Sequence, residues 1–236
     1  IVKILKENNQ SYVLGQERVE NKEELEKEIV ESKCTHIIST IGRTHGNIGD
    51  KKYTTIDYLE QKGKIKDNVR DNLFCPVVLA ILSKKHKLHL TYMGTGCIFS
   101  YDDKHVFGRE ENGFKESDKA NFFGSAYSIV KGYTDEIMQF FEDNVLNIRI
   151  RMPITSCRSS RNFITKITTY EKICSIPNSM TVLDELLPIM IDMSTKKLTG
   201  TINLTNPGLI THNEILDMYI EIVDKNFRYK NFSLEE

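Results

Sequence analysis

The sequence predicts an α/β fold built on a doubly wound parallel sheet, and three observations carry that expectation. Short apolar runs at residues 35–40 (THIIST), 88–95 (LHLTYMGT) and 146–152 (LNIRIRM) have the length of buried strands. Longer stretches with helical spacing precede and separate them, at residues 23–32, 68–84 and 126–141. That alternation covers both faces of a parallel sheet with helices, and ligands of such sheets sit at the C-terminal ends of the strands. Third, 236 residues, 39% hydrophobic and 28% charged, suit a globular chain with one large domain or one domain and a small lobe.

The elements follow in order. Residues 1–7 (IVKILKE) read as the end of a helix, and residues 11–15 (SYVLG) as a short β-rich run. In residues 23–32, Leu25, Ile29 and Val30 share one helical face. Residues 68–84 read as one long helix despite Pro76. After Pro153 the texture changes to a polar connector with Ser156, Arg158, Ser159, Ser160 and Arg161. Residues 163–170, a helix at 182–194, a strand at 201–204 and a helix at 213–223 starting near Thr211 complete the chain. We expect residues 1–154 to form a Rossmann-like dinucleotide-binding domain, and residues 155–236 mainly a substrate lobe that partly returns to the sheet. A fold of this kind needs a glycine-rich loop between its first strand and first helix; because Ile1 reads as mid-helix, we expect that loop to lie upstream of Ile1.

Composition excludes several functions. Lys plus Arg is 32 and Asp plus Glu is 33, a formal charge of −1, so no strong nonspecific hold on nucleic acid or anionic membrane is expected. No apolar run approaches the ~18 residues of a membrane span. Five cysteines, an odd number without a CxxC pair, argue against a disulfide scaffold and a zinc ribbon and fit a reducing, cytoplasmic compartment; no metal site is expected.

Tyr127-Ser-Ile-Val-Lys131 places a phenol and an ammonium on one helical face. A neighbouring ammonium favours phenolate, which makes Tyr127 a usable proton donor to a carbonyl oxygen. Taken alone, the pair reads equally well as two exposed helical side chains. Thr95 ends a strand about thirty residues earlier, where a hydroxyl faces the ligand crevice and can donate to the same oxygen. A Thr-Gly turn is its bland reading. Asn72 lies inside the long helix, where asparagine is unfavourable unless its amide is engaged; a bond leading toward Lys131 is one such use, and a solvent-facing amide the other. Cys97, two residues past Thr95, suits either a tuned acid or base or a small buried apolar group, and the second is the commoner state of free cysteine. Cys34, Cys75, Cys157 and Cys174 read as inert. Lys166 opens the second lobe, where composition favours a solvated charge. Arg18 stands where a dinucleotide fold reads the adenosine ribose, and an arginine there suits a 2′-phosphate, hence NADPH over NADH.

At Thr95-Gly-Cys97, Tyr127-xxx-Lys131 and Arg161-Asn-Phe-Ile-Thr-Lys166 the sequence resembles the 3,5-epimerase/4-reductase family of UDP-L-rhamnose synthesis, found in plant rhamnose synthases and a giant-virus homologue, within the extended short-chain dehydrogenase/reductases. Further matching blocks are GTGCIF at 94–99, GFKE at 113–116, RIRMPI at 149–154, IPNSM at 176–180, LDELLP at 183–188, and Asn206-Pro207 through HNEIL at 212–216. The abundant Lys, Asn and Ile, and the absence of Trp, resemble the product of an AT-rich viral genome, which would place the protein in host cytoplasm or a viral factory. The resemblance implies a substrate, UDP-4-keto-6-deoxy-D-glucose, and two reactions in one pocket. Cys97 and Lys166 match the acid/base pair for inversion at carbons 3 and 5; Thr95 and Tyr127 would hold the enolate oxygen. Tyr127 would then protonate carbon 4's oxygen during reduction by NADPH, with Lys131 also on the nicotinamide ribose. Met152 and Pro153 match the segment beside the nicotinamide, Thr40 and Gly42 the turn past the cofactor, and Asn162 a position near the nucleotide sugar. Arg43-Thr-His-Gly46 departs from the plant pattern. Analogy with the superfamily implies a homodimer through the two long helices, and a 4,6-dehydratase is expected on a separate chain or domain, since no second dinucleotide fold fits in 236 residues. A plain NADPH ketoreductase and a non-catalytic dinucleotide sensor are the alternatives; intact Thr95, Tyr127 and Lys131 argue against the sensor.

Overall fold

The computed structural model describes residues 1–233. They fall into two compact units. The first comprises Ile1–Ser100, Lys115–Arg149 and Leu187–Asn203; the second comprises Tyr101–Phe114, Ile150–Leu186 and the chain from Leu204 onward.

The first unit opens with helices α1 (Val2–Glu7) and α2 (Lys22–Ser32). Its sheet takes in β1 (His36–Ser39), β4 (His89–Thr95), β5 (Val145–Ile150) and β8 (Gly200–Asn203), in the order β1-β4-β5-β8. β1 runs parallel to β4 with His36 opposite His89, and β5 parallel to β8 with Leu146 opposite Gly200. Parallel neighbours need crossovers, and helices supply them. Between β1 and β4 run α3 (Ile65–Val69), a π-helical turn (Arg70–Phe74) and α4 (Cys75–Lys85); between β4 and β5 runs α5 (Ala126–Met138). Leu79, Leu82, Leu90, Tyr92, Met138 and Val145 are buried together where these helices meet the sheet. The sequence expectation of one helix across Pro76 holds in outline. The π turn ends at Phe74, just before Pro76, and this local widening is where the continuous helix accommodates a residue that lacks an N–H.

Two features differ from expectation. Residues 11–15 form no strand, because high β propensity creates a strand only when a partner accepts its hydrogen bonds. The amides of the adjoining Gln16 and Glu17 bond instead to the Glu28 carboxylate, at 2.7 and 3.1 Å. A hairpin of β2 (Gly46–Ile48) and β3 (Lys51–Tyr53), turned by Gly49 at φ +56°, appears where no alternation marks it.

The second unit holds β6 (Pro153–Ile154) paired in parallel with β7 (Thr181–Val182), then α6 (Phe163–Ile167) and α8 (His212–Ile222). Its core joins Phe163, Ile167, Ile173, Met180, Ile215 and Leu216. Thr211 caps α8 in a reciprocal pair with Glu214, which fixes the start the sequence expects. Helix α7 (Leu183–Thr195) leads from β7 to β8. No helix among the described residues is long and apolar enough to cross a membrane.

Candidate active site

β4 ends at Thr95, and the chain turns at once into Cys97. The Cys97 N–H donates to Thr95 Oγ1 at 3.1 Å. That contact uses a lone pair of the hydroxyl and leaves its proton available to a carbonyl oxygen. The start of α5 is tied to the same turn. Ser125 caps the helix by accepting from Ser128 N–H, and Ser128 Oγ donates to the Cys97 carbonyl at 2.7 Å. Glu60 accepts from the amides of Ala126 and Tyr127, at 3.0 and 3.3 Å. A carboxylate there satisfies orphan donors and suits the positive helix end.

With α5 fixed, Tyr127 and Lys131 both lie buried one turn apart. Tyr127 packs against Tyr58 and Leu59, in a cluster that also includes Cys97. Lys131 Nζ donates to Tyr92 Oη and stands 4.7 Å from the centre of the Tyr92 ring. Burial brings the Lys131 ammonium down to about 8, against the opposing pull of Asp135 and Cys97. Burial, reinforced by Tyr127 and Asp135, holds the Tyr92 phenol well above its usual range. Asp135, one turn further along α5, is gripped by Arg149 on β5 through two bonds of 2.9 and 2.6 Å. Arg149 also reaches the carbonyls of Lys115 and Asp118, so four of its five N–H groups are engaged in this buried charge pair.

A second cluster surrounds a cavity of about 380 Å³ lined by Arg18, Glu20, Thr40, Gly42, Arg43 and Asp71, among others. Arg18 bonds Glu20 at 2.8 Å, while Asp71 bonds both Arg43 and Arg70. Burial pushes the Asp71 carboxyl up, but the two guanidinium bonds outweigh it and hold it below its usual range. Asn72 is wholly buried in the π turn. Its Oδ1 accepts from Arg43 N–H at 2.9 Å, and its Nδ2 donates to the Arg43 carbonyl and to Asn68 Oδ1. The Asn72 carbonyl accepts from Thr134 Oγ1 at 2.6 Å, so its link to α5 is through Thr134 and not directly to Lys131. A Cβ at position 42 would stand 3.0 Å from Asn72 Oδ1, a tight contact that a glycine avoids.

The other candidates lie in the second unit. Met152 adopts φ +40°, a strained value for this residue type, immediately before Pro153 in β6. Asn162 caps α6: Oδ1 accepts from Ile164 N–H at 3.2 Å, and Nδ2 donates to the carbonyls of Thr155 and Cys157. Both amide protons are therefore engaged, and one Oδ1 lone pair is left for a ligand. Lys166 is half-buried on α6, one turn from that cap. Sequence reasoning did not single out Tyr92 or Glu60.

No protein-family model matches the sequence. Protein L780 of Acanthamoeba polyphaga mimivirus is 52% identical over 236 residues, 100% of this chain and 80% of L780. The crystal structure of the L780 UDP-rhamnose synthase superposes with a TM-score of 0.92, over 99% of this chain and 79% of that one. A bifunctional dTDP-4-dehydrorhamnose 3,5-epimerase/dTDP-4-dehydrorhamnose reductase of Arabidopsis thaliana is 42% identical over 227 residues, 96% of this chain and 72% of the relative. The chain belongs to the 3,5-epimerase/4-reductase family of rhamnose synthesis. Another Arabidopsis family member, a trifunctional UDP-glucose 4,6-dehydratase/3,5-epimerase/reductase, is 42% identical, and the chain spans 34% of its length. A Bacillus anthracis dTDP-4-dehydrorhamnose reductase in complex with NADP gives a TM-score of 0.67 at 18% identity, over 92% of this chain and 72% of that one. That likeness is one of fold, a Rossmann-like parallel sheet flanked by helices.

Proposed function

We propose that the chain converts UDP-4-keto-6-deoxy-D-glucose to UDP-L-rhamnose, by inversion at carbons 3 and 5 followed by NADPH-dependent reduction at carbon 4. The observation that carries this reading is the grouping of Thr95, Cys97, Tyr127 and Lys131 where β4 meets α5.

Carbons 3 and 5 flank the ketone, so a proton removed from either leaves an enolate. The free proton of Thr95 and the phenol of Tyr127 bond the enolate oxygen and stabilise its charge. Inversion requires removal on one ring face and delivery on the other; Lys166 takes the proton and Cys97 returns one from the opposite side. The cavity beside Gly42 is lined by Arg18, Thr40 and Arg43, polar and cationic groups that suit the phosphates of a dinucleotide. Arg18, Thr40, Gly42, Tyr127, Lys131, Met152 and Pro153 would hold NADPH, and Asn72 would act on it through the main chain of Arg43. Bound NADPH supplies the hydride for carbon 4. Tyr127 gives its proton to the carbon 4 oxygen, and the Lys131 ammonium favours the phenolate left behind. A 4,6-dehydratase activity supplies the ketone. The chain works as a homodimer through α4 and α5, a reading supported by the exposed Ile81 and Tyr133 on those helices.

The test is incubation with the 4-keto sugar in heavy water, with and without NADPH. Deuterium at carbons 3 and 5 without NADPH, and UDP-L-rhamnose with it, are expected. Reduction without exchange would leave a plain ketoreductase and remove the roles of Cys97 and Lys166.

A further inference from the structure

Tyr92 is among the largest fully buried side chains of the protein, and its phenol stands on β4 three residues before Thr95. A buried hydroxyl requires a partner. The described residues provide one, Lys131 Nζ, and Tyr92 Oη is likewise the one hydrogen-bond partner of that amine among them. We propose that Tyr92 is a positioning residue for the reduction, whose hydroxyl holds the Lys131 amine in both of its protonation states and sets the pH range over which the site keeps its ammonium. The inference rests on the reductase reading for its kinetic consequence, but not for the contact itself.

The chemistry of the pair supports both directions of the bond. A charged Lys131 donates to the phenol oxygen, with the ring face 4.7 Å away adding a cation–π attraction, and keeps two N–H groups for a ligand. A neutral Lys131 accepts the phenol's own proton. Phenylalanine at this position would fill the same space and do neither. Burial already depresses the ammonium to about 8, so the loss of one charge-stabilising bond falls within the working range of pH.

The other groups around the amine leave this role to Tyr92. On α5, Asp135 is shared with Arg149, and Tyr127 is the other titratable neighbour; Cys97 faces it from the turn after β4. The π turn packed against α5 brings Asp71, bound by Arg43 and Arg70, and α3 brings Asp67, bound by Tyr58 and Lys64. On α4, Lys84 pairs with Asp143 and Lys85 with Glu26. His89, at the far end of β4, bonds the Leu198 carbonyl.

The experiment compares wild type with Tyr92→Phe in two ways. The first is kcat/KM against pH for NADPH oxidation by the 4-keto sugar. The second is the titration of the Lys131 Cε resonance in 13C-lysine-labelled protein without substrate, assigned with Lys131→Met. In the variant, the basic limb and the resonance midpoint both move down by about one pH unit, because a bond to a charged group is lost. Activity near pH 6.5 stays close to wild type, while that at pH 8 falls several-fold. An unmoved midpoint, or a rate loss uniform across pH, overturns the proposal. A midpoint that moves in a wild-type background unable to oxidise NADPH upholds the Tyr92–Lys131 pairing and overturns the reductase reading instead.

Discussion

Lys131 and Lys166 stand on helices of different construction. α5 spans 13 residues, is capped by Ser125 and Glu60, and is anchored mid-length by the buried Asp135–Arg149 pair. α6 spans 5 residues and is held by the Asn162 side chain, with Phe163 and Ile167 in the core. A helix of that length has almost no stability of its own, so its position depends on its cap and its two apolar anchors. Lys131 is sealed under the protein and pushed toward neutrality; Lys166 keeps partial access to water. The contrast matches the proposed tasks. A lysine that only tunes and orients gains from burial, whereas a base that must shed its proton each turnover needs an exit.

Substitutions at each helix sharpen or break this contrast. The largest effect is expected from Tyr127→Phe, which removes the proton donor: kcat for reduction should fall by roughly 10²–10⁴. Deuterium exchange at carbons 3 and 5 should fall much less, since Thr95 still holds the enolate; equal losses would mean that α5 serves both reactions equally. Next is Asp135→Ala, which leaves Arg149 charged and buried and should lower unfolding stability by about 3–5 kcal/mol in urea melts. Asn162→Ala should cost about 1 kcal/mol by the same assay, through loss of the cap. It should slow exchange more than the reduction of added UDP-4-keto-L-rhamnose. The smallest is Lys131→Met, inactive but more stable at pH 7 by about 1 kcal/mol, because a buried ammonium is gone while the Tyr92 hydroxyl loses its partner. Between about 8, where the folded lysine loses its proton, and the unfolded value of about 10.4, wild-type stability should rise with pH and close this gap. A gap independent of pH would contradict a depressed Lys131.

Much of this was legible in the sequence because burial on both faces writes apolar runs into parallel strands, and because residues four apart share a helical face. The placement of Thr95 at a strand end and of Tyr127 and Lys131 on one helical face needed no more than that, whereas the roles proposed for them come from the family resemblance. Tyr92 was hidden by the same rule: within an apolar strand a phenol looks like core packing, and its partner is 39 residues away. Glu60 was hidden because it binds main-chain amides 66 and 67 residues on, which no side-chain pattern marks. The hairpin at Gly46–Tyr53 was missed because GNIGDKKY carries charge where alternation would show. The apparent strand at 11–15 erred the other way, since propensity describes a residue's fit to a sheet and says nothing about a neighbour to pair with.

The most direct test of two separable chemistries is one crossed assay. Wild type, Lys166→Ala and Tyr127→Phe are each given UDP-4-keto-6-deoxy-D-glucose in heavy water for exchange, and UDP-4-keto-L-rhamnose with NADPH for reduction. The account predicts that Lys166→Ala loses exchange and keeps reduction, and that Tyr127→Phe loses reduction and keeps most of its exchange. Wild-type exchange in Lys166→Ala would contradict it.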